Sequence, residues 1–347
     1  MKKILGLFIV TLAAFLTTAC SDDDNVGKYD GESSVKITAA DVLFEARASK
    51  GSVEFTAPGT VTVSTGAAWC KATVEGNKVN VSADTNDDLQ GRSAKLVIKC
   101  GVDSAFVTVQ QKGILFQIEG FKSAVAAQSN EAQTLTLGYS SNVEVELSST
   151  DSWIKPSIAD DSHIAIAVEK NTTGHVRFGH VIYKAGGYTN RIKVSQYDYE
   201  ENFVGPATLF YSKTKDGAET SEATAIASDG SITYKGYTIP LEFSKDECCF
   251  YLHGGSLISS SMSGGSQINL YTTLTDSDYV FWSPTVTMTG NISYDEANHK
   301  TVITFEDNGS AGGAVLCGMA LYKFKGEPTA DNVQGQVTSS FNWRLER

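Results

Sequence analysis

The chain has 347 residues, with 28 Lys and Arg against 40 Asp and Glu, and a formal net charge of −12. That balance, with no basic cluster or stripe, excludes nucleic acid as a partner. Beyond the N-terminal segment no apolar run is long enough to span a bilayer. The length allows two or three domains, and Thr-, Ser-, Val- and Gly-rich alternation without helical periodicity predicts an all-β protein of several sandwiches or barrels.

The chain opens Met1-Lys2-Lys3, runs apolar from Ile4 to Leu16, and reaches the small residues Thr17, Thr18 and Ala19 before Cys20. A positive start, a short apolar stretch and a small-residue cut point describe a secretory signal over residues 1–19. The cysteine at the first mature position resembles the lipobox of bacterial lipoproteins, which implies a lipid on Cys20. One departure is Thr17, where that family prefers leucine; here Leu16 lies one place earlier. Ser21, Asp22, Asp23 and Asp24 resemble the acidic surface-export signal of lipoproteins of the Bacteroidetes. In purely physical terms residues 20–33 are a solvated acidic tether. The expectation is a lipid-anchored outer-membrane protein exposed on the cell surface, with the membrane as a partner through that lipid.

Next comes an internal repeat, which has to be found before a fold is assigned. "VNVSADTNDDLQGRSAKLVIKCG" from Val79 and "IAIAVEKNTTGHVRFGHVIYKAG" from Ile164 align at an offset of 85 residues. Asn86 and Arg92 match Asn171 and Arg177, and Val107 to Gln111 match Ile192 to Gln196. Upstream, after a one-residue gap, Trp69 matches Trp153. A Trp after an alternating strand, an N-x5-R-x-(A/G) segment and a terminal V-x-V-x-Q together resemble the BACON family. The resemblance implies two tandem immunoglobulin-like β-sandwiches, over 34–113 and 114–198, with a proposed carbohydrate-binding role. Read as residues alone, the tryptophans are packing groups, the asparagines hold turns, and the arginines pair with local carboxylates or carbonyls.

Cys70 and Cys100 are replaced in the second copy by Ile154 and Ala185, so both are present in one copy and absent from the other. Parity points both toward a core, as two separately buried thiols or as a disulfide in an exported protein. The disulfide is the expectation, worth about 3–4 kcal/mol on the chain-entropy model. No zinc or haem spacing links the cysteines, the five histidines form no two-histidine ligand pair, and no serine sits in a nucleophile elbow. No metal, no cofactor and no catalytic residue is therefore expected. The glycine-rich stretch from His253 to Gln267 reads as a turn or mobile loop.

The remaining segment, 199–347, holds 19 of the 34 aromatic residues, and about eight strand-like runs there predict a C-terminal β-sandwich or barrel. Parity along those runs sets Tyr251 and His253, Tyr271, and Tyr279 and Phe281 on faces otherwise made of Ser, Thr, Asn and Gln. Such a face is either a stacking surface for a ligand or a second hydrophobic layer. The expected function is glycan binding through Tyr251, His253, Tyr271, Tyr279 and Phe281, with the tandem sandwiches as the support. The alternatives are an adhesive protein meeting another surface protein, and a glycan-processing enzyme whose two carboxylates sequence does not reveal.

Overall fold

The computed structural model describes residues 33–347, and they are all-β apart from three one-turn helical segments. Cys20, the Ser21–Asp24 run and the signal segment lie outside the described residues. Among the described residues no helix is long and apolar enough to cross a membrane.

Strict alternation builds the first sandwich. In Lys78–Ala83 the side chains of Val79, Val81 and Ala83 are buried, and Lys78 and Asn80 face solvent. One sheet runs in the order Lys36–Asp41, Ser49–Thr56, Lys78–Ala83, Cys70–Glu75; the facing sheet runs Leu43–Phe44, Asp103–Gln111, Arg92–Cys100, Thr62–Thr65. Val53, Val79, Leu96, Ile98 and Val109 are fully buried between them. The second sandwich repeats the plan with Ile154–Asp160, His163–Val168, Gln133–Ser141 and Phe116–Ile118 facing Ala124–Ala127, Tyr188–Gln196, Arg177–Ala185 and Val145–Ser148. In both, a short strand lies parallel to the last long one: Leu43 beside Gln110, and Ala124 beside Lys193.

The expected disulfide is not there: Cys70 and Cys100 are both free. Cys70 is buried and Cys100 packs against the same core, so each faces inward, but parity does not set the level along a strand. Cys70 opens its strand beside Thr65, whose hydroxyl bonds its carbonyl and which pairs with Leu96. Cys100 ends its strand four residues past Leu96, about 13 Å further at ~3.3 Å per residue. A disulfide needs Cα atoms within about 7 Å.

The C-terminal domain is one 11-stranded antiparallel sheet folded on itself, with a small two-stranded sheet beside it. Its path runs from Glu242–Ser244 through Cys249–His253, Thr287–Asp295, Lys300–Asp307, Val333–Glu346, Gly318–Lys325 and Ser266–Thr275 to Leu257–Ser263. Val333–Glu346 serves both halves: its first part pairs with Gly318–Lys325, and its second with Lys300–Asp307 and Gly205–Ser212. Asn342 sits at the changeover with φ 56°, and its amide holds Ser212 Oγ and the Lys215 carbonyl. Trp343, Leu345, Phe250, Leu252, Leu274, Met319 and Leu321 fill the fold between the halves. Leu257–Ser263, read from sequence as loop, is an edge strand on Ser266–Thr275; its serine run hid the strand because it carries no apolar alternation.

Candidate functional site

The marks shared by the two repeats meet in space. The Arg92 guanidinium lies 4.4 Å over the Trp69 ring, its Nε donates to Gln111 Oε1 at 2.9 Å, and Nη2 donates to the carbonyls of Asp84 and Thr85. Gln111, itself buried, donates to the carbonyls of Ala46, Arg47 and Asp84. Arg177, Trp153 and Gln196 repeat the arrangement, with the guanidinium 4.2 Å over the indole and bonded to Gln196 and the Glu169 carbonyl. Asn86 and Asn171 each donate to the carbonyl four residues on and accept from the amide two residues on. These residues are spent on their own sandwiches, as packing and turn groups.

The five aromatic and imidazole positions singled out in the C-terminal domain do not form one surface. Tyr271 is only 6% exposed, lies edge-on to Phe324, and is bonded by Asn269 and to Glu327. It belongs to a second apolar layer, which Trp282 completes by packing edge-on against Phe324. Phe281 pairs with Leu274 and packs against the main core, so it is not on the polar face that parity assigned to it with Tyr279. The physical reason is that Val280–Phe281 is a two-residue strand whose facing is set by its neighbour, not by its own pattern. Tyr279 is 71% exposed on the turn before it.

Tyr251 and His253 do share a face at the other end of the domain. The Tyr251 hydroxyl donates to Glu247, and that bond, followed by partial burial, pushes the phenol well above its ordinary range. His253 Nδ1 lies 2.8 Å from the Pro284 carbonyl, and Nε2 lies 2.8 Å from Glu242 Oε2. Nε2 thus has the Glu242 carboxylate close by but no hydrogen-bond partner of good geometry among the described residues. Beside them stand Thr287 and Thr289, bridged by the Asn308 amide. The face is polar and already bonded to itself.

A concave site does occur on the outer face of the half-sheet built by Ser266–Thr275, Gly318–Lys325 and Val333–Glu346. It is a cleft of about 470 Å³ whose lining includes Tyr322 and Phe341 with Ala320, Gln336, Ser339 and Thr275, and Lys213 and Asp278. Met319 and Leu321 point into the core, which turns Gly318, Ala320 and Tyr322 outward. Of these, Ala320 lies on the lining of the cleft, beside Ser339 of the neighbouring strand. A Cβ at Gly318 would stand 2.7 Å from the Phe341 ring, so the glycine lets that ring lie where it does. Tyr322 is half-buried with its hydroxyl on Gln336 Oε1 at 2.9 Å, and the half-buried Phe341 stands across the strand pair. Two aromatic walls, a small-residue floor and a mixed polar rim can bind a flat, hydroxyl-bearing ligand. The lining carries a single carboxylate, Asp278. The sequence signal for this site was the strand Gly318-Met319-Ala320-Leu321-Tyr322, with small residues alternating against large apolar ones.

Two tandem sandwiches followed by a folded antiparallel sheet place the chain among modular, all-β proteins. Residues 59–112 and 143–197 match the BACON family, described as "Putative binding domain, N-terminal", so the chain carries two BACON segments, one in each sandwich. Among characterised proteins the chain is similar to the xyloglucan-specific endo-beta-1,4-glucanase BoGH5A of Bacteroides ovatus, 24% identical over 140 residues. That match covers 39% of this chain and 26% of the enzyme, so the chain spans about a quarter of that relative. Among solved structures, a titin I9–I11 tandem aligns with 74% of this chain and 97% of its own at 10% identity and a TM-score of 0.34. The endo-fucoidan hydrolase MfFcnA4 of glycoside hydrolase family 107 aligns with 72% of this chain and 43% of its own, at 9% identity and a TM-score of 0.25.

Proposed function

We propose that this is a lipid-anchored cell-surface protein that presents a glycan-binding cleft on its C-terminal domain, with the two BACON segments as its stalk. The observation that carries the reading is the cleft lined by Tyr322 and Phe341 with the small residues Ala320 and Ser339 between them. Sugars offer apolar C–H faces ringed by hydroxyls, and a half-exposed aromatic beside amide and hydroxyl groups is the matching surface. The partial likeness to an enzyme named for xyloglucan supports a glycan as ligand, and the Cys20 and Ser21–Asp24 pattern supports the anchored placement.

The test is a glycan array on the full chain, followed by titration calorimetry with any ligand found. Phe341→Ala and Tyr322→Ala should each weaken binding at least tenfold, about 1.4 kcal/mol, while Tyr251→Ala should leave it unchanged. Binding that survives both cleft variants would remove the site from consideration. Intact mass spectrometry of the membrane-extracted protein tests the anchor: the expected N-terminus is acylated Cys20. A second reading, adhesion to another protein, is favoured by the uncharged edge strand Leu257–Ser263, on which Leu257 is 53% and Met262 71% exposed. An array without hits, together with measurable binding to a purified surface protein that Met262→Lys removes, would favour it.

A further inference from the structure

We infer that the loop carrying the N-x5-R segment is a docking element, which couples each repeat to the unit that follows it in the chain. The two copies of this loop, Asn86–Arg92 and Asn171–Arg177, are braced internally in the same way by their asparagines. What they do with their outer surfaces is also the same, although the neighbours differ.

In the first copy the loop meets the second sandwich. The Asp88 carbonyl accepts from the Ile114 amide at 2.9 Å, and Ile114 is buried with Ala46 and Ala185 in a small cluster shared by both sandwiches. The Asp87 carbonyl lies against the turn that follows Ala185. A Cβ at Gly187 would stand 2.6 Å from that oxygen, and one at Gly186 would stand 2.7 Å from Ile114 Cδ1. The first is a backbone contact, so no side-chain motion relieves it, and any residue but glycine must push the sandwiches apart.

In the second copy the loop meets the C-terminal domain. His175, which occupies the place of Gln90, stacks on Tyr294 with ring centroids 3.4 Å apart and planes within 6°. Val176 is fully buried among C-terminal core residues, and the Gly174 carbonyl accepts from the Asn202 amide. Tyr197, just past the last strand of the repeat, donates its hydroxyl to the Lys245 carbonyl at 2.7 Å.

The first sandwich supplies the control. Its turn at the position of Gly186–Gly187 is Gly101–Val102, against which none of the described residues docks. Val102 is 93% exposed, and a Cβ at Gly101 would meet nothing within 4 Å. The second glycine of the pair is therefore present where a loop docks and replaced where none of the described residues does. The crevice of about 720 Å³ between this loop and Gly187–Tyr188 is the seam of the joint. The chain behind the cleft is thus a stiff stalk, with a small first joint and a second one continuous with the C-terminal core.

Hydrogen–deuterium exchange of the full chain, read by mass spectrometry, tests this. In the unaltered protein, residues 113–116, whose Ile114 and Leu115 amides are bonded to the Asp88 carbonyl and to Asn142, should exchange at least tenfold more slowly than the free turn at 101–102. Gly187→Ala should remove that protection and leave the strands of both sandwiches protected. If Gly187→Ala also exposes the strands, Ile114→Ala is the second variant, with the same local loss expected. The inference is overturned by fast exchange at 113–116 in the unaltered chain, or by protection there that Ile114→Ala leaves unchanged. Val102→Ala should change nothing; an effect there equal to that of Gly187→Ala would also overturn it.

Discussion

Replacing Arg92 by alanine is expected to destabilise the first sandwich by about 3 kcal/mol. Arg92 makes three charge-assisted hydrogen bonds, to Gln111 Oε1 and the carbonyls of Asp84 and Thr85. Bonds of this kind contribute about 1.5–3 kcal/mol each when buried, but Arg92 is half-exposed and they share one side chain, so roughly 1–2 kcal/mol is a fair total. Leaving buried Gln111 with one partner fewer adds on the order of 1 kcal/mol, and losing the stack on Trp69 adds about 0.5–1 kcal/mol. Calorimetry of the full chain reads this as a fall of ~12 °C or more in the transition of that sandwich, at ~4–8 °C per kcal/mol for a domain of this size. Arg92→Lys should recover little, because an ammonium cannot lie flat on the indole while bonding Gln111 and two carbonyls. A lysine variant melting within about 2 °C of the unaltered protein would show that charge alone suffices and that the planar fork is not the cause.

Cys70 and Cys100 should be recovered as free thiols by non-reducing peptide mapping, with Cys100 alkylated in the folded protein and buried Cys70 only after unfolding; a linked peptide pair would contradict the strand levels given above. Burial pushes Tyr199 and Tyr211 up to about 12 and raises Tyr197 as well. The folded state therefore holds these phenols neutral, and its stability is intact below about pH 10 and declines as pH rises from about 10 to about 12. Urea midpoints that do not fall across that window would refute it. Tyr199→Phe should raise stability by about 1 kcal/mol, since its buried hydroxyl has no hydrogen-bond partner among the described residues. Asn342→Ala should destabilise the C-terminal domain by about 1–3 kcal/mol and Asn342→Gly by less, because φ 56° penalises alanine and not glycine; equal losses would mean the amide bonds matter and the conformation does not.

The two sandwiches were legible because half-buried antiparallel strands alternate, as Lys78–Ala83 does, and because the repeat marks Trp, Arg and Gln are one contact cluster in space. Parity gave the facing of Cys70 and Cys100 correctly but could not give their levels along the strands, which depend on how two sheets are placed over each other. In the C-terminal domain, Tyr271 has polar sequence neighbours at Asn269 and Thr273, yet all three are buried. The layer over them comes from Trp282 and Phe324, residues of other strands, so no local pattern announces it. The cleft was missed for the opposite reason: Tyr322 and Phe341 sit on strands whose apolar residues dominate the pattern, and the informative signal was the small size of Gly318 and Ala320.

The changeover strand Val333–Glu346 also fixes when the C-terminal domain can form. It comes last among the strands of that sheet and yet joins its two halves, and it pairs Phe341 with Ser212 across 129 residues. Contacts of that sequence separation carry a large loop-closure cost and slow a β-protein's acquisition of structure. Until those final residues arrive, Gly205–Ser212, Lys300–Asp307 and Gly318–Lys325 each have an open edge. The domain thus completes in a late, single closure, and a shortened chain that lacks this strand would present three sticky edges in place of one cleft.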